Sequence, residues 1–217
     1  ASVSNRGTIN TTGGPVVLNA ANVSNTSTGT INAHGGEVGL GATNGFTVDF
    51  AGNGKINFQP GAALDQSIVT NDGQIVSDGG KVTITNQQAR NIASSVINLG
   101  GMVDTSCLAC TSGNGGTIEV ASAGDLNSTA TLMANSNFGR GGSITNTAAN
   151  TLNVSNTANY QATGNSATNG GNIKYRANNF TINGRASAGR GGKVTISGLN
   201  DVNITSGGSV LRATNGQ

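Results

Sequence analysis

One phrase recurs along this chain: two glycines, any residue, then apolar residues at alternate positions. It reads Gly13-Gly14-Pro15-Val16-Val17-Leu18, Gly35-Gly36-Glu37-Val38-Gly39-Leu40 and Gly79-Gly80-Lys81-Val82-Thr83-Ile84. It returns as Gly115-Gly116-Thr117-Ile118-Glu119-Val120, Gly170-Gly171-Asn172-Ile173-Lys174-Tyr175 and Gly191-Gly192-Lys193-Val194-Thr195-Ile196, with weaker copies at Gly141 and Gly207. Glycine permits a tight bend, and an x-apolar-x-apolar run is a short strand with one buried face. A bend and a strand repeated at a steady interval mark a solenoid, which takes precedence over any other organisation.

The interval sets the coil. The step from Gly13 to Gly35 recurs, to within a residue, from Gly170 to Gly191, and Gly35 to Gly79 is two such steps. The double step predicts a middle copy at Gly52-Asn53-Gly54-Lys55-Ile56-Asn57-Phe58, and one further step beyond Gly79 predicts another at Gly100. A second strand precedes the glycines at Gly7-Thr8-Ile9-Asn10, Gly29-Thr30-Ile31-Asn32 and Gly73-Gln74-Ile75-Val76. A third follows them at Ala21-Asn22-Val23-Ser24, Phe46-Thr47-Val48-Asp49-Phe50, Leu152-Asn153-Val154-Ser155, Phe180-Thr181-Ile182-Asn183 and Val202-Asn203-Ile204-Thr205. The expectation is an all-β parallel β-helix, with about ten coils of about 21 residues and three short strands per coil. It forms a single segment over residues 1–217, irregular around residues 100–170. Ten coils at the interstrand spacing make a rod of about 50 Å. Residues 87–93, the nearest approach to a helical pattern, read as a loop.

Composition agrees with an ordered rod. Charged residues make up 9% of the 217, against roughly 25% in ordinary domains, and 35 residues are glycine. Disordered chains are usually rich in charge and poor in β-branched residues, whereas Val, Ile and Thr here fall at alternating positions. Asn, Ser and Thr are expected to fill the turns, bonding to neighbouring backbone or stacking in ladders. Pro15 and Pro60 are expected at strand starts or in turns, because proline cannot donate to a ladder. No apolar stretch is long enough to span a membrane, and no signal peptide is visible. Neither end offers an amphipathic cap, so a piece of a longer rod is expected.

The phrases GTIN, VSN, GGxVxL and LNVSN on coils of this length resemble filamentous haemagglutinin-type exoproteins of two-partner secretion systems. The resemblance covers essentially the whole chain. It implies a right-handed parallel β-helix, the hand that parallel crossovers usually take. It also implies secretion to the surface of a Gram-negative bacterium through an outer-membrane transporter partner. Functions in cell adhesion, biofilm matrix or virulence follow from the same resemblance. The Asn-Pro-Asn motifs usual in the secretion domain of the family are absent here, so a stalk or repeat region is expected. Two alternatives stay open: a carbohydrate-active β-helix enzyme, and a passive stalk of a contact-dependent toxin or haemolysin.

Candidate sites are few. Cys107-Leu108-Ala109-Cys110 is the only Cys-x-x-Cys. One pair cannot make a four-ligand zinc site, and His34, the sole histidine, is far away in sequence. A disulfide between Cys107 and Cys110 in an oxidising compartment is the expectation. Neither a metal nor a cofactor is expected. Charge divides unevenly, with residues 1–125 at −4 and residues 126–217 at +6, which together give the net +2. The basic half holds Arg140, Lys174, Arg176, Arg185, Arg190, Lys193 and Arg212, and Gly-Arg-Gly-Gly at Gly139 and Gly189 places Arg140 and Arg190 at comparable corners. The first six of these form a candidate surface for an anionic glycan of host cell or matrix. Two tyrosines are too few for a base-stacking platform, so nucleic acid is not the expected partner. A glycosidase needs two carboxylates close together; Asp49, Asp72 and Asp78 are near enough in sequence to fall on adjacent coils but read better as turn aspartates, so no catalytic residue is assigned. The seven Asn-x-Ser/Thr sequons match what chance gives in a chain of this composition.

Overall fold

Period-two alternation turns one edge of each strand inward, and parallel stacking then lines up equivalent residues of successive coils. In the computed structural model of the chain, this produces three parallel sheets and no helix among the described residues. Those residues are 1–43, 45–48, 56–59, 67–86, 95–110, 113–166, 168–198, 200, 202–204 and 210–214. Sheet 1 has eight strands, from Ser2–Asn5 to Val202–Ile204, and sheet 2 has eight, from Thr8–Thr12 to Val210–Thr214. Sheet 3 has seven: Val16–Asn19, Glu37–Gly41, Lys81–Thr85, Thr117–Ser122, Ser143–Ala148, Asn172–Ala177 and Lys193–Gly198. The chain visits sheets 1, 2 and 3 in turn, so three strands make one coil of the expected parallel β-helix.

The Gly-Gly phrases at Gly13, Gly35, Gly79, Gly115, Gly141, Gly170 and Gly191 each lead into a strand of sheet 3. Two different demands fix the two glycines. Gly13, Gly35, Gly79 and Gly191 have φ between 67° and 75°, where a side chain is disfavoured. The second glycine packs under the preceding coil, so that a Cβ on Gly142 would collide with the Gly116 carbonyl oxygen. Pro15 precedes the strand Val16–Asn19, as expected; Pro60 and residues 87–93 lie outside the described residues.

The inward residues form continuous rows. Val16, Val38, Val82, Ile118, Ile144, Ile173 and Val194 are in register along sheet 3. Ile31, Ile75, Val103 and Leu132 supply sheet 2, and Val69, Ile97, Leu126 and Leu152 supply sheet 1, all fully buried. At the corner between sheets 1 and 2 an asparagine ladder enters the interior. Asn5 Nδ2 donates to Asn25 Oδ1 at 2.9 Å, and Asn25 Nδ2 donates to Asn71 Oδ1 at 2.8 Å. The same register position continues as Leu99, Ser128, Val154 and Ile182.

Four features differ from the sequence expectation. First, sheets 1 and 2 have eight strands each among the described residues, not ten, so the stack is about 35 Å long. The coil keeps its expected length only toward the ends, where Val16 pairs with Val38 and Asn172 with Lys193. Ile118 pairs with Ile144 and Ser143 with Asn172, so the middle coils are several residues longer. Second, the segment containing Ile56–Gln59 adds no coil. It pairs antiparallel with Gly45–Val48, Phe46 opposite Phe58, in a two-stranded sheet of its own between the strands Glu37–Gly41 and Ile68–Asn71 in chain order. The Ile56 N–H donates to Glu37 Oε2 at 2.7 Å and ties this pair to sheet 3. Third, Gly100-Gly101 belongs to the corner before sheet 2, and Gly101 stacks on Gly73 rather than continuing from Gly79. Fourth, the strand after Gly207 joins sheet 2 instead of sheet 3.

Candidate functional site

The strand Asn172–Ala177 alternates strictly, with Ile173, Tyr175 and Ala177 buried and Asn172, Lys174 and Arg176 exposed. Its neighbours on sheet 3 place hydroxyls beside those cations. Thr145 and Thr195 flank Lys174, Thr147 and Ser197 flank Arg176, and Ser143 and Lys193 flank Asn172. Shallow depressions follow one another across these strands. The first includes Arg140, Ser143, Asn172 and Gly191; the next Thr145, Lys174, Arg176, Thr195 and Ser197; the last Thr147, Ala149, Arg176, Asn178 and Gly198.

The six candidate glycan-binding residues therefore divide. Lys174, Arg176 and Lys193 share the outer face of sheet 3. Arg140 and Arg190 sit two coils apart at the corner entering that face, as the repeated Gly-Arg-Gly-Gly implied. The Arg140 carbonyl accepts from Gly115, and the Arg190 carbonyl from Gly170, in corresponding positions. Arg185 opens a strand of sheet 2 and faces another side of the rod. The side chain of Arg212 lies outside the described residues. None of the ion pairs among the described residues involves Lys174, Arg176 or Lys193. Upstream on the same sheet, Lys81 Nζ lies 2.7 Å from Glu119 Oε2.

Beneath the cations, the Tyr175 ring stacks on Tyr160, with centroids 5.8 Å apart and planes 23° from parallel. Burial raises both phenols well above the ordinary tyrosine value; the adjacent Tyr160 adds to the shift of Tyr175. The Ser128 hydroxyl opposes the shift of Tyr160 but does not reach it in hydrogen-bonding geometry, and the Tyr160 hydroxyl is left without a partner. Asn146, in register between Val120 and Tyr175, is also buried with neither side-chain polar atom paired.

The Cys107 and Cys110 sulfurs are at bonding distance, with Cα atoms 5.2 Å apart, at the corner between sheets 2 and 3. Around them the corner loops of successive coils stack: the Cys107 N–H donates to the Asn135 carbonyl, and Asn137 Nδ2 to that of Leu108. This ledge exposes Leu108 and Phe138 to 48% and 47%, a feature that sequence reading misses because neither residue falls in a strand phrase. Two coils upstream, His34 Nδ1 lies 2.6 Å from Asp78 Oδ2 on the surface. Asp72 and Asp78 lie on one coil rather than on adjacent ones, and Asp49 lies outside the described residues. Asp104 accepts the backbone N–H of Ser106 two residues on, as a turn aspartate does, whereas Asp125 accepts that of Thr151 on the next coil. Among the described residues no group of three or more His, Cys, Asp or Glu side chains is placed to hold a metal ion. No helix among them is long and apolar enough to cross a membrane. The chain matches no protein-family profile, curated protein or solved structure.

Proposed function

We propose that this chain is a rod segment of a large secreted bacterial adhesin or biofilm-matrix exoprotein, and that sheet 3 binds an acidic polysaccharide near Lys174. The observation that carries the binding is a set of cations, Lys174, Arg176 and Lys193, with no acidic partner among the described residues, on one face beside rows of threonine and serine hydroxyls. An exposed cation attracts carboxylate or sulfate without giving up an internal ion pair, and several weak contacts on a rod add by avidity. In this reading the full-length protein leaves a Gram-negative cell through an outer-membrane two-partner transporter, and the β-helix grows coil upon coil as it emerges. In this reading the chain performs no catalysis: among the described residues Asp104 and Asp125 accept backbone N–H bonds and Asp78 faces His34 on the surface.

The experiment is binding of the purified protein to a panel of neutral and acidic polysaccharides at low and high salt. Saturable binding confined to acidic members, weakened by salt, and lost in the Lys174→Ala/Arg176→Ala/Lys193→Ala variant supports the reading. A folded, β-rich protein that binds none of them is a spacer, and the binding proposal fails.

A further inference from the structure

Resting on that reading, we infer that the acidic polysaccharide lies across the rod, along the strand direction of sheet 3, and does not run lengthwise from coil to coil. The charges met along the two directions differ. Lengthwise, the row through Lys174 reads Gly39, Thr83, Glu119, Thr145, Lys174 and Thr195, with an acid and a single cation. The row through Arg176 reads Gly41, Thr85, Ala121, Thr147, Arg176 and Ser197, again with one cation. The row through Lys193 passes Asn172, Ser143 and Thr117 before reaching Lys81 and Glu37. A lengthwise polyanion gains a single downstream cation per row, and upstream it meets Glu119 in the Lys174 row, Glu37 in the Lys193 row and no further cation in the Arg176 row.

Crosswise, the cations come in sequence. Arg140 and Arg190 stand at the corner where strands enter sheet 3; Lys193 is at the first strand position, Lys174 at the third and Arg176 at the fifth. Successive positions on one face are about 6.6 Å apart along a strand, a spacing that can present one anionic group to each cation. The shallow depressions follow this order, from Arg140 and Asn172, through Thr145 and Lys174, to Arg176 and Asn178. Nothing bulkier than threonine stands beside the two central cations. A six-residue strand spans about 20 Å, which sets the length of polysaccharide in contact.

Oligosaccharides of a single uronic acid, graded in length, distinguish the two directions. Crosswise binding predicts affinity that climbs with length to about 20 Å and then levels off. It also predicts a loss of about tenfold or more on Thr195→Glu, which sets an acid beside Lys174, and less than twofold change on Glu119→Gln. Affinity that keeps climbing far beyond that length, with Glu119→Gln tightening binding to long oligomers, overturns the crosswise placement and leaves the proposed function standing. Absence of binding by the folded parent at every length overturns both.

Discussion

The two halves of this rod treat polar groups in opposite ways. Upstream, the buried amides and one surface cation are paired: Asn5, Asn25 and Asn71 bond to one another in the interior, and Lys81 meets Glu119 on the surface. Downstream, Asn146 and the Tyr160 hydroxyl are buried without partners among the described residues, and Lys174, Arg176 and Lys193 form no ion pair with any described acid. On sheet 3 the difference lies in side chains of the same rows: Lys81 and Glu119 upstream stand where Lys193 and Lys174 stand downstream. The interior and the surface teach different lessons. An unpaired buried amide is a stability cost that the stacked rows around it can bear. An unpaired surface cation costs almost nothing and is open to a partner from outside the chain.

The comparison can be broken most severely at the asparagine ladder. Asn25→Ala leaves a donor on Asn5 and an acceptor on Asn71 stranded in the interior and is expected to cost about 2–4 kcal/mol in denaturant unfolding. A loss below about 0.5 kcal/mol would mean that the ladder is incidental. High pH should come next. Tyr160 and Tyr175 have phenol pKa values raised in the folded state, so the folded chain holds protons that the unfolded chain releases. Their contribution is intact below the ordinary tyrosine value of about 10 and is lost as pH climbs beyond it, at up to about 1.4 kcal/mol per pH unit for each phenol. Tyr160→Phe should reduce that alkaline loss, and an unchanged profile would contradict the burial argument.

Two smaller effects sharpen the contrast. Asn146→Val replaces the unpaired amide with the residue type found at the equivalent position Val120, and thermal unfolding should show a gain of about 1–2 kcal/mol. The sign is the point, because the same kind of change at Asn25 goes the other way. Lys81→Ala should lower stability by less than about 1 kcal/mol, since its pair with Glu119 is partly exposed, and should leave polysaccharide binding unchanged.

Much of the fold is legible in the sequence because a Gly-Gly phrase demands both a bend and a close approach between coils. All of the phrases from Gly13 to Gly191, except the middle copy containing Ile56 and the one assigned to Gly100, lead into sheet 3. The strand around Ile56 departs from its sequence reading for a physical reason. Alternation shows that a segment has one buried face, but not whether its partner is the coil below or the strand just before it. Gly100-Gly101 departs because a glycine pair under a neighbouring coil is needed at more than one corner. The basic half is visible in the charge count, yet its division between faces is not. Because the middle coils are longer than the end coils, a fixed step cannot show that Arg185 opens sheet 2 while Lys174 lies on sheet 3. The pairing of Lys81 with Glu119, far apart in sequence, depends on the same register.

The most direct test of the account sets the two halves of sheet 3 against each other in one titration. Calorimetric binding of an acidic polysaccharide, followed over a range of salt concentrations, would compare the parent with Lys174→Ala/Arg176→Ala and with Lys81→Ala. The account predicts parent affinity that falls with salt, a loss of about tenfold or more with a shallower salt dependence in the double variant, and no change in Lys81→Ala. Equal losses in the two variants, or none in either, would contradict the claim that the unpaired downstream cations form the binding face.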